Sequence, residues 1–88
     1  FMVWHDHSHI DPSLAGKRTP LNTAISRDEG KTWEQVRTLE DDPGGWYCYT
    51  AMEFVDDFVL LGHCAGQRAT GGLNVTQVLR VPIAWLYE

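Results

Sequence analysis

The sequence lacks any apolar run that approaches the roughly 20 residues needed to cross a bilayer. It also lacks a stretch with convincing helical periodicity. With 88 residues, of which 43% are hydrophobic and 22% charged, it has the composition of one small globular domain. We therefore expect a soluble, all-β protein that needs no membrane partner.

Basic residues are few and scattered along the sequence. Seven Lys and Arg against twelve Asp and Glu give a net charge of −5. Nucleic-acid binding by counterion release needs clustered cations, so we expect no nucleic-acid partner. Phe1-Met2-Val3-Trp4 is too short for the apolar core of a secretion signal and resembles the middle of a strand. It suggests either a longer parent or a missing leader, and the localisation stays unknown.

Cysteine is equally scarce, with only Cys48 and Cys64. Two cysteines are too few for a disulfide framework and do not decide the cellular compartment. Pairing Val55 with Phe58 across a hairpin would place Cys48 opposite Ala65, with the two sulfurs on different sheet faces. The cysteines should then be free, although a three-residue loop would shift the register and bring them together.

What the sequence does contain is a series of strand-like segments separated by turn residues. Asp56-Asp57 predicts a tight hairpin, and the apolar runs beside it suggest a sheet covered on both faces. The mixed pattern that follows Trp33 predicts an outer or edge strand. The predicted strands are 2–5, 21–26, 33–39, 49–55, 58–64 and 73–81, and Pro82 separates the last of them from the segment 83–87.

One stretch, Ser26 to Trp33, has the form Ser-x-Asp-x-Gly-x-Thr-Trp and lies between two strand-like runs. Asp28 can bend its carboxylate back onto backbone N–H groups, and Gly30 can adopt the positive φ that closes a turn. Trp33 supplies a large apolar anchor at the start of the return strand. These residue types predict a hairpin turn whose geometry accounts for them without a ligand.

The stretch resembles an Asp-box, the repeat motif of sialidases and related β-propellers, with Ser26, Asp28, Gly30, Thr32 and Trp33 as its structural residues. The resemblance implies antiparallel propeller blades. A blade has four strands in about 40 to 50 residues, and a closed ring has about 4 to 8 blades, so the chain holds about two blades of an incomplete propeller. We assign residues 1–45 to the outer strands of one blade and 46–88 to the blade-like sheet that follows, in one structural unit. The innermost strand of the first blade is then missing before residue 1.

The wider pattern, Arg18-Thr19-Pro20-Leu21, the Asp-box and Glu40 to Thr50, resembles the C-terminal part of the sialidase superfamily and covers nearly the whole chain. That family implies that Arg18 clamps the substrate carboxylate and that Tyr49, about thirty residues later, is the nucleophile. A guanidinium binds a carboxylate through two parallel hydrogen bonds, and a neutral phenol avoids repulsion from an anionic sugar. Tyr47 is the rival nucleophile, two residues away on the same strand face. Without a site role, Arg18 would be a solvated loop cation and Tyr49 a core aromatic.

Two further sets of residues are weaker candidates. His5, His7 and His9 alternate, so an extended strand would align three imidazoles in a spacing that can bind Zn or Ni, but no Cys or distant ligand supports a metal site. The tryptophans could form a platform for sugar stacking, although packing residues are the commoner role. They are Trp4, Trp33, Trp46 and Trp85. We predict no cofactor and no metal.

Two functions remain open at this point. In the first, the chain is a fragment or short relative of a sialidase-like, glycoside-processing propeller, inactive alone because the family's other two arginines, its glutamate and its acid/base aspartate have no counterpart here. It would act as an exo-sialidase-like enzyme only in a full-length propeller. In the second, it is a self-associating structural or binding module whose unpaired sheet edges pair with copies of itself, with a glycan as a possible ligand.

Overall fold

The computed structural model describes residues 1–88. It contains two antiparallel three-stranded sheets and very little helix. Sheet 1 has the order β1-β2-β3 and sheet 2 the order β4-β5-β6. The elements are β1 (Met2–Trp4), β2 (Leu21–Ile25), β3 (Glu34–Glu40), β4 (Gly45–Val55), β5 (Phe58–Gln67), β6 (Thr76–Pro82), α1 (Ile83–Leu86) and two short 3-10 turns, Pro12–Leu14 and Arg68–Thr70. The all-β, antiparallel class predicted from the sequence is confirmed.

Sheet 1 is built around β2, which is buried along its whole length. β1 and β3 pair with it in antiparallel register and form the two edges. In β3 exposed residues alternate with half-buried ones over most of the strand, as expected where one face is solvated. The edge position predicted for this strand is therefore confirmed.

Sheet 2 is centred on β5, in which Val59, Leu61 and His63 are buried at alternate positions. The tight connection at Asp56-Asp57 is confirmed: Val55 pairs with Phe58, and Asp56 adopts a φ of 51°. The prediction that this sheet is covered on both faces is wrong. In β4 every residue of the range 51–55 is exposed, and Phe54 has only an edge contact with the Phe1 ring, at 5.8 Å between ring centres.

The core lies between the two sheets. Ile25 of sheet 1 packs with Val59, Leu61 and Val81 of sheet 2 and with Leu86 of α1. These five side chains are at most 6% exposed, so each contributes close to its full burial free energy, roughly 1.5–3 kcal/mol for a side chain of this size. One hydrophobic core therefore holds both sheets.

The segment after Pro82 departs from the all-strand expectation, because Ile83–Leu86 forms one turn of α-helix. Its single turn places Leu86 in the core and Trp85 at its margin. Gln35 Nε2 donates to the Tyr87 carbonyl and Arg37 to the Glu88 carbonyl, so β3 is tied to the chain that follows α1. None of the helices in the structure has the length and apolar character needed to span a membrane.

Candidate functional site

The turn between β2 and β3 is closed by Asp28. Its Oδ1 accepts the Thr32 backbone N–H at 2.8 Å, and its Oδ2 accepts the Thr32 hydroxyl at 2.5 Å. The Ser26 hydroxyl donates to Asp28 Oδ1 at 2.9 Å and accepts the Gly30 N–H at 2.7 Å. Gly30 has a φ of 89°, which a residue with a Cβ rarely adopts. The pKa of the Asp28 carboxyl is held below its usual value, chiefly by the two hydrogen bonds from Thr32.

Trp33 lies beside this turn rather than in the core. Its ring passes 3.8 Å from the position that a Cβ on Gly30 would occupy, and the side chain is exposed. The ladder between β2 and β3 is irregular here, and Gln35 adopts a φ of 53°. Ser26, Asp28, Gly30 and Thr32 are thus joined in one hydrogen-bonded turn, in which Asp28 bonds to backbone as the sequence predicted.

Arg18 lies at the end of the loop before β2. Its carbonyl accepts the Tyr47 N–H at 2.8 Å, and this bond fixes the backbone of Arg18 against the start of β4. The guanidinium carbon lies 5.2 Å from the centre of the Tyr49 ring and 5.5 Å from that of Trp46. The only ion pair in the structure joins Arg27 and Glu34, so Arg18 has no carboxylate partner. Arg18 is thus a half-buried cation held on two aromatic rings.

Tyr49 lies at a bulge in β4. It has a φ of 57°, and the ladder with β5 shifts register between Cys48 and Ala51. A left-handed conformation is unusual for a bulky residue, and bulges of this kind redirect side chains. Tyr49 is 69% exposed, so the alternative of a core aromatic is wrong. The bulge presents its phenol to solvent beside the Arg18 guanidinium.

Tyr47, the rival nucleophile, is in a different environment. It is only 5% exposed, and its ring covers Gly45, where a Cβ would lie 2.4 Å from the ring. Burial, with smaller contributions from nearby carboxylates, raises the pKa of the Tyr47 phenol. The expectation that Tyr47 and Tyr49 share one face assumed a regular strand, and the bulge removes that regularity. Tyr47 is therefore a buried packing residue.

The cysteine register predicted from the hairpin is also wrong. Val55 does pair with Phe58, but the bulge moves Cys48 opposite Cys64 instead of Ala65. Both thiols are free. Burial raises the pKa of the Cys48 thiol, the neighbouring Cys64 adds to the rise, and Arg18 opposes it. The two thiols are cross-strand neighbours on one face, close to Tyr49.

An open cleft of about 300 Å³ adjoins this group of residues. It is lined by Lys17, Trp46, Arg68, Gly71 and Gly72. Neither cation forms an ion pair. Trp46 links the cleft to Arg18, because the Arg18 guanidinium lies over the same indole. Two consecutive cations, Lys17 and Arg18, and the distant Arg68 therefore lie around one tryptophan.

The three histidines do not assemble into a metal site. β1 ends at Trp4, so His5, His7 and His9 lie outside the strand that would have aligned them. His5 Nδ1 donates to the Pro20 carbonyl at 2.8 Å, and His7 Nε2 donates to the Thr19 carbonyl at 2.9 Å. His9 is exposed. No cluster of three or more potential ligands occurs in the structure.

The four tryptophans contact different neighbours and do not form one platform. Trp46 is in the cleft, Trp33 covers Gly30, Trp85 stacks with Arg37 and Trp4 lies in β1. Only Trp46 is close to Arg18 and Tyr49. Sequence reasoning missed Lys17 and Arg68. Lys17 follows a glycine and Arg68 lies in a loop, and exposed cations are common in such places, so neither residue stood out.

No family model, curated protein or solved structure matches the chain.

Proposed function

We propose that the chain forms about two adjacent blades of a sialidase-like, glycoside-processing β-propeller. In the complete ring Arg18 would bind the substrate carboxylate and Tyr49 would attack the sugar. The observation that carries the proposal is the contact between Arg18 and Tyr49, whose ring lies 5.2 Å from the guanidinium carbon on an exposed bulge. The family resemblance assigned both residues to one site, and neither residue needs the contact for the hydrophobic core.

The chemistry of the pair suits an acidic sugar. Arg18 has donors that no carboxylate of the chain occupies, and two parallel N–H donors match the two oxygens of a ligand carboxylate. Tyr49 offers a neutral nucleophile at the same edge, which avoids repulsion between an anionic catalyst and an anionic substrate. The strained bulge supports a functional role, since left-handed non-glycine residues cluster at sites where side-chain aim matters.

The arrangement of the sheets fits the same proposal. Each half of the chain folds as an antiparallel three-stranded sheet, one strand short of a four-stranded blade. Catalysis would also need a general base for Tyr49 and an acid for the leaving group, which other blades would supply. We therefore expect the chain alone to bind an acidic sugar weakly and to hydrolyse nothing.

A binding experiment tests the Arg18 assignment. N-acetylneuraminic acid, and its methyl ester as the uncharged control, would be titrated into the labelled chain while amide shifts are followed. We expect the acid alone to shift the residues around Tyr49, and Arg18→Gln to weaken its binding about tenfold or more, because a charged hydrogen bond is lost. Arg80→Gln is the matched control, since Arg80 also stacks on an aromatic ring, Phe58, at 3.9 Å. Equal effects of the two variants would refute a specific clamp.

A turnover experiment tests the claim of inactivity. A fluorogenic sialoside should show no hydrolysis above buffer with the chain alone. Turnover that disappears in Tyr49→Phe would show that the two sheets are sufficient for catalysis. That result would contradict the proposal that other blades are required.

A second candidate function is self-association, and the apolar surface of sheet 2 favours it. The exposed apolar side chains of its outer strands are Met52, Phe54, Val55 and Val78. Copies of the chain could cover them by packing sheets or pairing edges. Sedimentation velocity separates the candidates: a discrete oligomer that Val78→Lys dissociates supports the module, and a monomer across the concentration range supports the propeller piece.

A further inference from the structure

The cleft beside Trp46 is a ligand site that the Arg18–Tyr49 pair does not explain. We propose that it binds an acidic pyranose, a sugar ring carrying one carboxylate or sulfate ester, with the ring against the Trp46 indole and the anion between Lys17 and Arg68. Anion binding at this cleft does not depend on the proposed function. The choice of a sugar as the carrier ring rests on it.

The two cations of the cleft have no ion-pair partner. Lys17 is exposed and makes no side-chain hydrogen bond, and Arg68 forms no ion pair. One guanidinium N–H of Arg68 donates to the Gly45 carbonyl at 3.3 Å, which positions the side chain and leaves its other donors free. Asp42 lies close enough for the Arg68 charge to contribute to the lowered pKa of its carboxyl, but the two side chains form no ion pair, and Asp42 is hydrogen-bonded to Gln67 at 2.7 Å and to the Gly44 N–H at 2.9 Å. In a chain with a net charge of −5, two unpaired cations at one cleft create a local site for an anion.

The walls of the cleft are shaped for a ring. Gly72 adopts a φ of 76°, and a Cβ there would lie 2.5 Å from Cδ1 of Trp46, so only a residue without a side chain fits beside this edge of the cleft. Gly71 leaves open space where its own Cβ would be. A volume of about 300 Å³ is at the lower end of the range for small-molecule pockets and suits a single ring. An indole that lines the cleft together with two cations favours a ligand that has an apolar surface and one anionic edge.

The cleft and the Arg18–Tyr49 pair share Trp46 but use different cations. Arg18 lies over the indole together with Tyr49, whereas Lys17 and Arg68 line the cleft. A glycan with two acidic units could therefore engage both places at once. The two places can be tested separately, because their charged residues do not overlap.

The test uses the intact chain, glucuronic acid, glucose 6-sulfate and glucose, with the assigned Trp46 indole N–H resonance as the readout. We expect one or both acidic sugars to shift this resonance and glucose not to. Lys17→Gln should weaken binding about tenfold, as expected for loss of a charged contact. Lys31→Gln is the matched control, since it makes the same charge change in the turn between β2 and β3, and it should change the affinity less than about twofold. The carboxylate and the sulfate arms distinguish the two sources of the anion.

Three outcomes would overturn the inference: neither acidic sugar shifts the Trp46 resonance, glucose shifts it equally, or Lys31→Gln weakens binding as much as Lys17→Gln. Arg68→Gln gives a second test, interpreted only if its amide spectrum keeps the dispersion of the parent. Arg18→Gln keeps this result distinct from the clamp experiment. Loss of the N-acetylneuraminic acid shifts around Tyr49, with the glucuronic acid or glucose 6-sulfate shift of Trp46 retained, would support both proposals. Retention of the shifts around Tyr49 in Arg18→Gln would count against the clamp alone.

Discussion

Tyr49 adopts a left-handed φ of 57° directly after Cys48, and this one residue carries the register shift that aligns Cys48 with Cys64. The backbone conformation is costly for a side chain with a Cβ, roughly 1–3 kcal/mol at such positions. The exposed phenol makes no contribution to the core that would compensate for the cost. The bulge therefore determines both the exposed position of Tyr49 and the pairing of Cys48 with Cys64.

The strain can be measured with a pair of substitutions. We predict that the free energy of unfolding, measured with urea, is about 1 kcal/mol larger for Tyr49→Gly than for Tyr49→Ala. The reason is that glycine alone adopts a positive φ without a steric penalty. The matched pair is Glu53→Gly and Glu53→Ala, at an exposed position of the same strand without positive φ. There the alanine variant should be the more stable. The same order at both positions would contradict a strained bulge.

The contact between Gly72 and Trp46 gives a second prediction. Gly72→Ala should destabilise the fold by about 1–3 kcal/mol more than Gly71→Ala, because the new methyl group would overlap the indole. Both glycines have a positive φ, so the conformational penalty is similar and the difference isolates the overlap. Urea unfolding followed by tryptophan fluorescence measures it. Equal losses of stability would show that Trp46 moves away freely and that the wall of the cleft is soft.

The turn at Asp28 makes stability depend on acid pH. The folded state lowers the pKa of Asp28 below 3.8, so the ionised form is favoured in the fold and the stabilisation is present above about pH 4. It is lost as the pH falls through the lower, folded-state pKa. We predict that the melting temperature falls less between about pH 5 and pH 2 in Asp28→Asn than in the parent.

Other carboxyls with lowered pKa values limit the size of that effect. Asp6, Asp11 and Asp42 also have pKa values below the usual one, because they accept hydrogen bonds in the fold. Asp28→Asn should therefore remove only part of the acid dependence. Glu29→Gln is the control, since it removes an adjacent exposed carboxylate outside the hydrogen-bond network of the turn. An acid profile changed equally by both substitutions would contradict a special role for Asp28.

The facing cysteines predict a specific oxidation product. The Ala65 N–H donates to the Val75 carbonyl, on the side away from β4. Backbone N–H groups alternate in direction along a strand, so the N–H of Cys64 points toward β4, and Cys64 and Cys48 form a hydrogen-bonded pair. The Cα atoms of such a pair are about 5.5 Å apart. That separation permits a disulfide. With excess oxidised glutathione, we expect the accessible Cys64 thiolate to attack the glutathione disulfide and form a mixed disulfide, which releases one reduced glutathione. Cys48 then attacks Cys64 of this mixed disulfide and releases the second glutathione.

Mass spectrometry distinguishes the products of this reaction. The predicted product has lost two hydrogen atoms and carries no glutathione, and a peptide digest should join the strands β4 and β5. Cys48→Ser is the control and should stop at the mixed disulfide on Cys64. Stable glutathione adducts on both cysteines of the parent chain would show that the thiols do not approach each other.

The sequence predicted turns that depend on neighbouring residues well, and it predicted the register and contacts that depend on the whole fold poorly. Asp56-Asp57 specifies a tight turn through its own residue types, and Asp28, Gly30 and Thr32 specify another, so both are visible without tertiary information. The bulge at Tyr49 was not predictable, because a tyrosine disfavours the left-handed conformation that the fold imposes on it. The error in the cysteine register followed from that single residue.

Residues of the candidate site differed in the same way. Arg18 and Tyr49 were identified through a resemblance to a family, while Lys17 and Arg68 gave no signal because they are far apart in the sequence and only the fold brings them to Trp46. Likewise, the four residues of α1 are too few to show a helical period, so nothing in the sequence indicated a helix in the segment after Pro82.

The position of Leu86 has a consequence for how the molecule unfolds. The segment that carries it continues directly from β6, yet Leu86 packs with Ile25 of sheet 1, and the residues beyond it accept hydrogen bonds from β3. Opening either sheet by itself would break these contacts, so a partly open state would lose their stabilisation for only a small gain in conformational entropy. Amide protons in β2 and β5 should therefore exchange with the solvent at the same free energy, through one global event that exposes both strands together.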